Sequence, residues 1–346
     1  MTDRDFGIDF GTSRVVIYAA GKGVVLDEPS VLALDTQTGK MFACGTEAYE
    51  MIGRAPDSIT VVRPMQKGVI ADLEYACIML KYFVQKVCAY KVVKPRAAVS
   101  VPASVTAVEQ RAFLEAMYAA GARQVMLIEE SMAAAVGAGL DVEAPRGSMI
   151  VEIGGGTTDV AVTSLKGLAS SCSARVGGDA CDEAIVRFVR QKYQLLIGER
   201  MASELKIAAG KAVADPEDIT VDAKGRDAVS GLPRVCRVTS TDLLEAMKDP
   251  LAEIENTVRR VLEETAPELA SDIYDNGILL TGGMAKLRGM DLLIERATGI
   301  PCRVADEPNI CVARGAASAL QYLHLFHSGV YDIGKFLYQS AESLTN

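Results

Sequence analysis

Residues 149–162 read MIVEIGGGTTDVAV: two apolar runs enclose three glycines and two threonines, with Glu152 before the glycines and Asp159 after the threonines. Each glycine costs a strand roughly 0.5–1 kcal/mol relative to alanine through lost backbone entropy, so three in succession need a local reason. A hairpin whose turn must admit a ligand close to the backbone is such a reason.

The pattern occurs twice. Near the amino terminus, FGIDFGTSRVVIYAAGKG (6–23) places Asp9 at the end of an apolar run, then Gly11, Thr12 and Ser13, then a second apolar run ending in glycine. Two hairpins built alike predict a duplicated domain whose halves open in the same way. Between and after them the pattern alternates. Residues 96–104 and 124–131 read as buried strands, 105–122 and 179–198 as helices, and 277–283 as a strand entering a glycine turn. The predicted class is α/β, with mixed sheets flanked by helices.

Converging backbone N–H groups bind phosphate, and residues without side chains let it approach. Two facing loops of this kind would grip a polyphosphate from both sides. Asp9 and Glu152 would then stand beside the phosphates, where carboxylates are repelled unless a cation intervenes. That requirement points to Mg²⁺. Neither a Walker sequence nor G-x-G-x-x-G occurs at these turns, which excludes P-loop and dinucleotide folds.

The chain's 346 residues allow about two domains. Its net charge of −9 opposes attraction to phosphate backbones, so no nucleic-acid partner is expected. Eight cysteines form no C-x-x-C pair and, with only His324 and His327, offer no zinc spacing, so they read as reduced cytoplasmic thiols. No stretch has the length of a transmembrane helix, and the charged amino terminus is no secretory signal.

Taken together, Asp9-x-Gly11-Thr12, LIEESMAAAVGAG (127–139), VEIGGGTTDVAV (151–162), VGGDACDEAI (176–185) and LLTGGM (279–284) resemble the superfamily of actins, heat-shock chaperones and sugar kinases. EPSVLALD, VRPMQKGVIADLE, KPRAAVSVP and ELASDIYDNGILLTGG narrow the resemblance to the MreB/Mbl bacterial actins, from about residue 4 to about 322.

The resemblance implies a duplicated actin-like fold with a nucleotide cleft between two domains. Domain I would span 1–145 plus 318–346 with a small insert at about 32–66, and domain II 146–317 with an insert at about 182–245. It implies a weak ATPase using ATP and Mg²⁺. Asp9 and Glu152 match the metal acids. Thr12, Ser13 and Arg14 match the first phosphate loop, and Gly154, Gly155, Gly156 and Thr157 the second. Glu130 and Thr157 match the residues that position the attacking water, and Asp159 is grouped with them. Gly178 and Asp179 match the turn into the nucleoside site, Lys206 the base-stacking lysine, and Gly282, Gly283, Met284 and Ala285 the last adenosine loop.

The chain departs from the family pattern in places. The usual aspartate before the glycines and glutamate after the threonines are exchanged as Glu152 and Asp159, IEES replaces IEEP, and the usual ribose glutamate is Ser203, beside Glu204.

The partners implied are further copies in head-to-tail filaments, anionic membrane lipid, and cell-wall elongation proteins at the inner face of the plasma membrane. Tyr90, Val92 and Val93, flanked by Lys91, Lys94 and Arg96, match a membrane-facing loop. Two other activities share this fold. A small-molecule kinase would need insertions for an acceptor pocket, and a chaperone-type ATPase a peptide-binding domain beyond the stretch read here.

Overall fold

The computed structural model describes residues 5–88, 94–320 and 330–332. Tyr90, Val92, Val93, both histidines and most of the tail lie outside them.

Two mixed sheets share one plan. In the first, Asp5–Phe10, Arg14–Ala19 and Gly23–Pro29 form an antiparallel meander. Arg96–Val101 and then Gln124–Glu129 continue the sheet in parallel from its first strand, and Val330–Asp332 closes that edge. In the second sheet, Ser148–Ile153, Thr158–Ser164 and Gly167–Ala174 make the meander, and Ile278–Thr281 and Cys302–Val304 the parallel extension. The turns correspond bond for bond: Gly11 N–H donates to Arg14 C=O at 3.0 Å, and Gly154 N–H to Thr157 C=O at 2.9 Å. The repeat read from the sequence is therefore a repeat of structure.

The central parallel strands are apolar on both faces because helices cover both, as RAAVSV illustrates with five of its six residues buried. Each sheet has its own core, with Phe10 set edge-on to Phe113 at 6.1 Å in the first. A third core joins them through the helices Glu130–Gly137 and Cys311–Ala319. These two helices touch backbone to backbone. A Cβ on Gly137 would lie 1.8 Å from the Cys311 carbonyl oxygen, and one on Gly315 would lie 1.8 Å from that of Ala133.

Two small sheets project from this body: Leu32–Asp35 with Met41–Cys44 and Ile59–Val62, and Leu195–Leu196 with Thr220–Asp227 and Pro233–Thr239. Two expected boundaries move. The strand expected at 124–131 stops at Glu129, and Glu130 begins the helix, drawn by the helix-favouring run Met132–Ala135. The helix expected to reach Gly198 ends at Tyr193, where Gln194 turns left-handed, and Gly198 instead precedes the next helix, Glu199–Ala209. Among the described residues no helix is long and apolar enough to cross a membrane.

Candidate functional site

The two glycine turns face each other across a cavity of about 480 Å³. They fit closely: a Cβ on Gly155 would stand 1.9 Å from Ser13 Oγ, and one on Gly156 2.2 Å from Thr12 Oγ1. Glycine is needed here for approach, which answers the question posed by the triple-glycine stretch. The Ser13 hydroxyl donates to the Asp179 carboxylate at 2.8 Å, and Thr12 Oγ1 accepts from Gly68 N–H at 2.8 Å. Arg14 also lines the cavity, but its guanidinium is held by Asp27 at 2.6 Å.

Below the loops lies a floor of carboxylates. Oxygens of Glu130, Glu152 and Asp159 all lie within 4.8 Å of one another, and all three residues are buried. Asp9 reaches the same cavity from the other hairpin. Burial disfavours their charge and their mutual repulsion adds to it. Asp9 is pushed up to about 7 by burial and then by Asp27. Burial, then Asp159, Glu152 and Asp9, raise Glu130 well above the ordinary carboxylate range. Glu152 is raised likewise by burial, Asp159 and Asp9.

Thr157 Oγ1 donates a long bond, 3.4 Å, to Glu130. Asp159, although grouped with them by the sequence, does not line the cavity. It is fully buried and accepts from the Ala103 N–H at 3.0 Å, while its register pairing with Glu152 keeps it beside Glu152 and Glu130 in the acid cluster.

At the other end, Gly178 opens a helix and Lys206 Nζ donates to its carbonyl at 2.7 Å. The same ammonium meets Asp182 at 2.8 Å. Asp182 is pushed up to about 6 by burial, against the pull of Lys206. Ser203, Gly282, Gly283 and Met284 line this end. Gly282 has φ +85°, and a Cβ there would lie 2.6 Å from Glu152 Oε1, so the last loop seats against the acid floor.

Two further expected residues stand apart. Ala285 is buried behind the loop in the second core. Glu204 turns outward to pair with Arg200 at 3.1 Å, since neighbouring positions on a helix point about 100° apart. The sequence reading missed Asp182, Arg63, Glu199 and Gly68, all of which line the cavity. Of these only Gly68 carried a local signal: Lys67-Gly68 between Met65–Gln66 and Val69–Ile70 is a two-residue hairpin turn with both φ values positive.

A family profile for MreB/Mbl proteins matches residues 3–328. The cell shape-determining protein MreB of Escherichia coli (strain K12) is 45% identical over 335 residues, covering 95% of this chain and 96% of its own. Mbl of Bacillus subtilis (strain 168) is 44% identical over 321 residues, covering 92% and 96%. Among solved structures, MreB5 of Spiroplasma citri superposes with a TM-score of 0.88 when bound to AMPPNP and 0.87 when bound to ADP. It is 34% identical in both, covering 94% and 92% of this chain and 98% and 96% of its own.

Proposed function

The chain belongs to the MreB/Mbl family of bacterial actins, and on that premise we propose that it binds ATP in the cleft, hydrolyses it slowly, and polymerises head to tail into filaments that take part in setting cell shape. The observation that carries this reading is the meeting of the two glycine loops, Gly155 against Ser13 and Gly156 against Thr12, above a buried carboxylate floor. Binding of ADP and AMPPNP by the Spiroplasma citri relative supports the nucleotide assignment.

The floor suits a divalent cation. Glu152 Oε2 and the fully buried Thr281 hydroxyl, its register partner, have no hydrogen-bond partner, and three close carboxylates without a cation are electrostatically unfavourable. Asp9 and Glu152 would hold Mg²⁺, which neutralises charge on the transferred phosphoryl group. The chain's own groups do the rest. Backbone N–H groups of Gly155, Gly156 and Thr157 and the Thr12 hydroxyl, whose oxygen only accepts from Gly68, grip the phosphates, and Ser13, its proton given to Asp179, fixes the first loop beside them. Glu130, with Thr157, orients a water toward the γ-phosphorus and accepts its proton late. Lys206, braced by Asp182 and the Gly178 carbonyl, borders the nucleoside along with Ser203, Gly282, Gly283 and Met284.

The same reading divides the chain into domain I, 1–145 plus 318–346, and domain II, 146–317, each with one small sheet as its insert. It assigns attachment at the inner face of the plasma membrane, among cell-wall elongation proteins, to Tyr90, Val92 and Val93.

Two measurements test the proposal. Calorimetric titration with ATP is expected to give one site that requires Mg²⁺, and electron microscopy with ATP and Mg²⁺ on anionic lipid is expected to reveal bound filaments. A chain that takes up no adenine nucleotide would overturn it.

A further inference from the structure

The two segments that carry the small sheets touch at the cavity through side chains. Arg63 follows the strand Ile59–Val62, and its guanidinium donates to the carboxylate of Glu199, the first residue of the helix Glu199–Ala209 and 136 positions away in sequence. Beside this pair, the Arg200 guanidinium lies 5.7 Å from the centroid of the Tyr49 ring, within reach of a cation–π contact. Glu204 holds Arg200 from the next turn of its helix at 3.1 Å, which gives that outward-facing carboxylate a task. Tyr49, Arg63 and Glu199 line the same cavity as the glycine loops, and the helix they touch carries Ser203 and Lys206.

The opposite end of the cleft is built differently. There the helices that join the halves cross with Gly137 and Gly315 against carbonyl oxygens, so that backbone meets backbone at a buried core. At the mouth, the joining groups are the tips of long, partly solvated side chains, Arg63 22% and Glu199 49% exposed. Exposed pairs of this kind stabilise a fold little and separate readily. A body with a tight pivot at one end and weak contacts at the other opens at the weak end.

We infer that Arg63–Glu199 and Tyr49–Arg200 form a clasp that holds the two inserts together over the cleft and sets the rate at which a nucleoside polyphosphate leaves. The inference rests on the nucleotide reading above. It makes exchange depend on four side chains, none of which needs to touch the phosphates.

The test is displacement of a fluorescent ADP analogue from the full-length protein by excess ATP, followed by stopped flow. Arg63→Glu and Glu199→Arg are each expected to speed release about three- to tenfold, and Tyr49→Leu about two- to threefold. The double reversal, Arg63→Glu with Glu199→Arg, is expected to restore the rate to within about twofold of the unaltered protein, because the pair is re-formed with its charges exchanged. Circular dichroism checks that each variant is folded. Single variants that release at the original rate would overturn the clasp, as would a double variant no slower than the singles, since the residues would then act on the nucleotide separately. Failure of the unaltered protein to take up the analogue would overturn the nucleotide reading and the clasp with it, whereas normal uptake with unaltered release sinks the clasp alone.

Discussion

Ser13 and Asp179, 166 positions apart in sequence, are joined by a 2.8 Å hydrogen bond that ties the first hairpin turn to the start of the helix Gly178–Tyr193. Burial raises Asp179 and the Ser13 hydroxyl opposes that rise, so the bond offsets part of the cost of an enclosed carboxylate. Ser13→Ala leaves that acid without its donor and is expected to lower unfolding free energy by about 1–2 kcal/mol. Urea unfolding measures it, and an unchanged midpoint would contradict the role assigned to the bond.

Gly156→Ala puts a methyl group 2.2 Å from Thr12 Oγ1 and 2.9 Å from the Gly68 nitrogen. Overpacking of this kind typically costs about 1–3 kcal/mol. The two loops must separate to admit the methyl group, so ATP affinity is expected to fall about tenfold or more, read by calorimetry. Affinity equal to that of the unaltered protein would mean that the loops do not close on the ligand.

Glu130→Gln keeps the size of the side chain and removes its ability to take a proton. Phosphate release is expected to drop about 100-fold or more while ATP binding stays within about threefold. Full hydrolysis by this variant would remove Glu130 from the chemistry.

The Asp182 carboxyl provides a pH dependence with a definite sign. Its value is raised from 3.8 to about 6 in the folded chain, first by burial, so folding favours the protonated form. Stability from this group is complete below about pH 4 and is lost as pH rises through about 6. The loss amounts to about 2–3 kcal/mol by pH 7. Asp9, raised to about 7, adds a slope of the same sign. Asp182→Asn is expected to remove its own share, so the variant's urea midpoint should change less between pH 4.5 and 7.5 than that of the unaltered protein. Parallel curves would count against the assignment.

Val92→Asp combined with Val93→Asp puts two charges into the apolar pair, between Lys91 and Lys94 in sequence, to which the proposed reading assigns membrane attachment. Co-sedimentation with anionic vesicles is expected to be abolished and ATP binding preserved. Continued pelleting would require another membrane contact.

The duplicated hairpins, their glycine turns and the acids beside them were legible in the amino-acid order because each is marked by residues close in the chain: apolar runs, a glycine-bearing turn between them, a carboxylate two positions before the first glycine. The distances that make a site of them depended on the tertiary structure. That the Lys206 ammonium meets Asp182, that Arg63 reaches Glu199, and that Glu130 comes within 4.8 Å of Asp159 follow from how sheets and helices pack, and side chains brought together over such separations leave no periodic mark on the sequence. Ser203 and Glu204 make the division plain. Adjacent in the chain, they point to opposite fates because a helix turns about 100° per residue, and only the packed helix decides which of them faces the cleft.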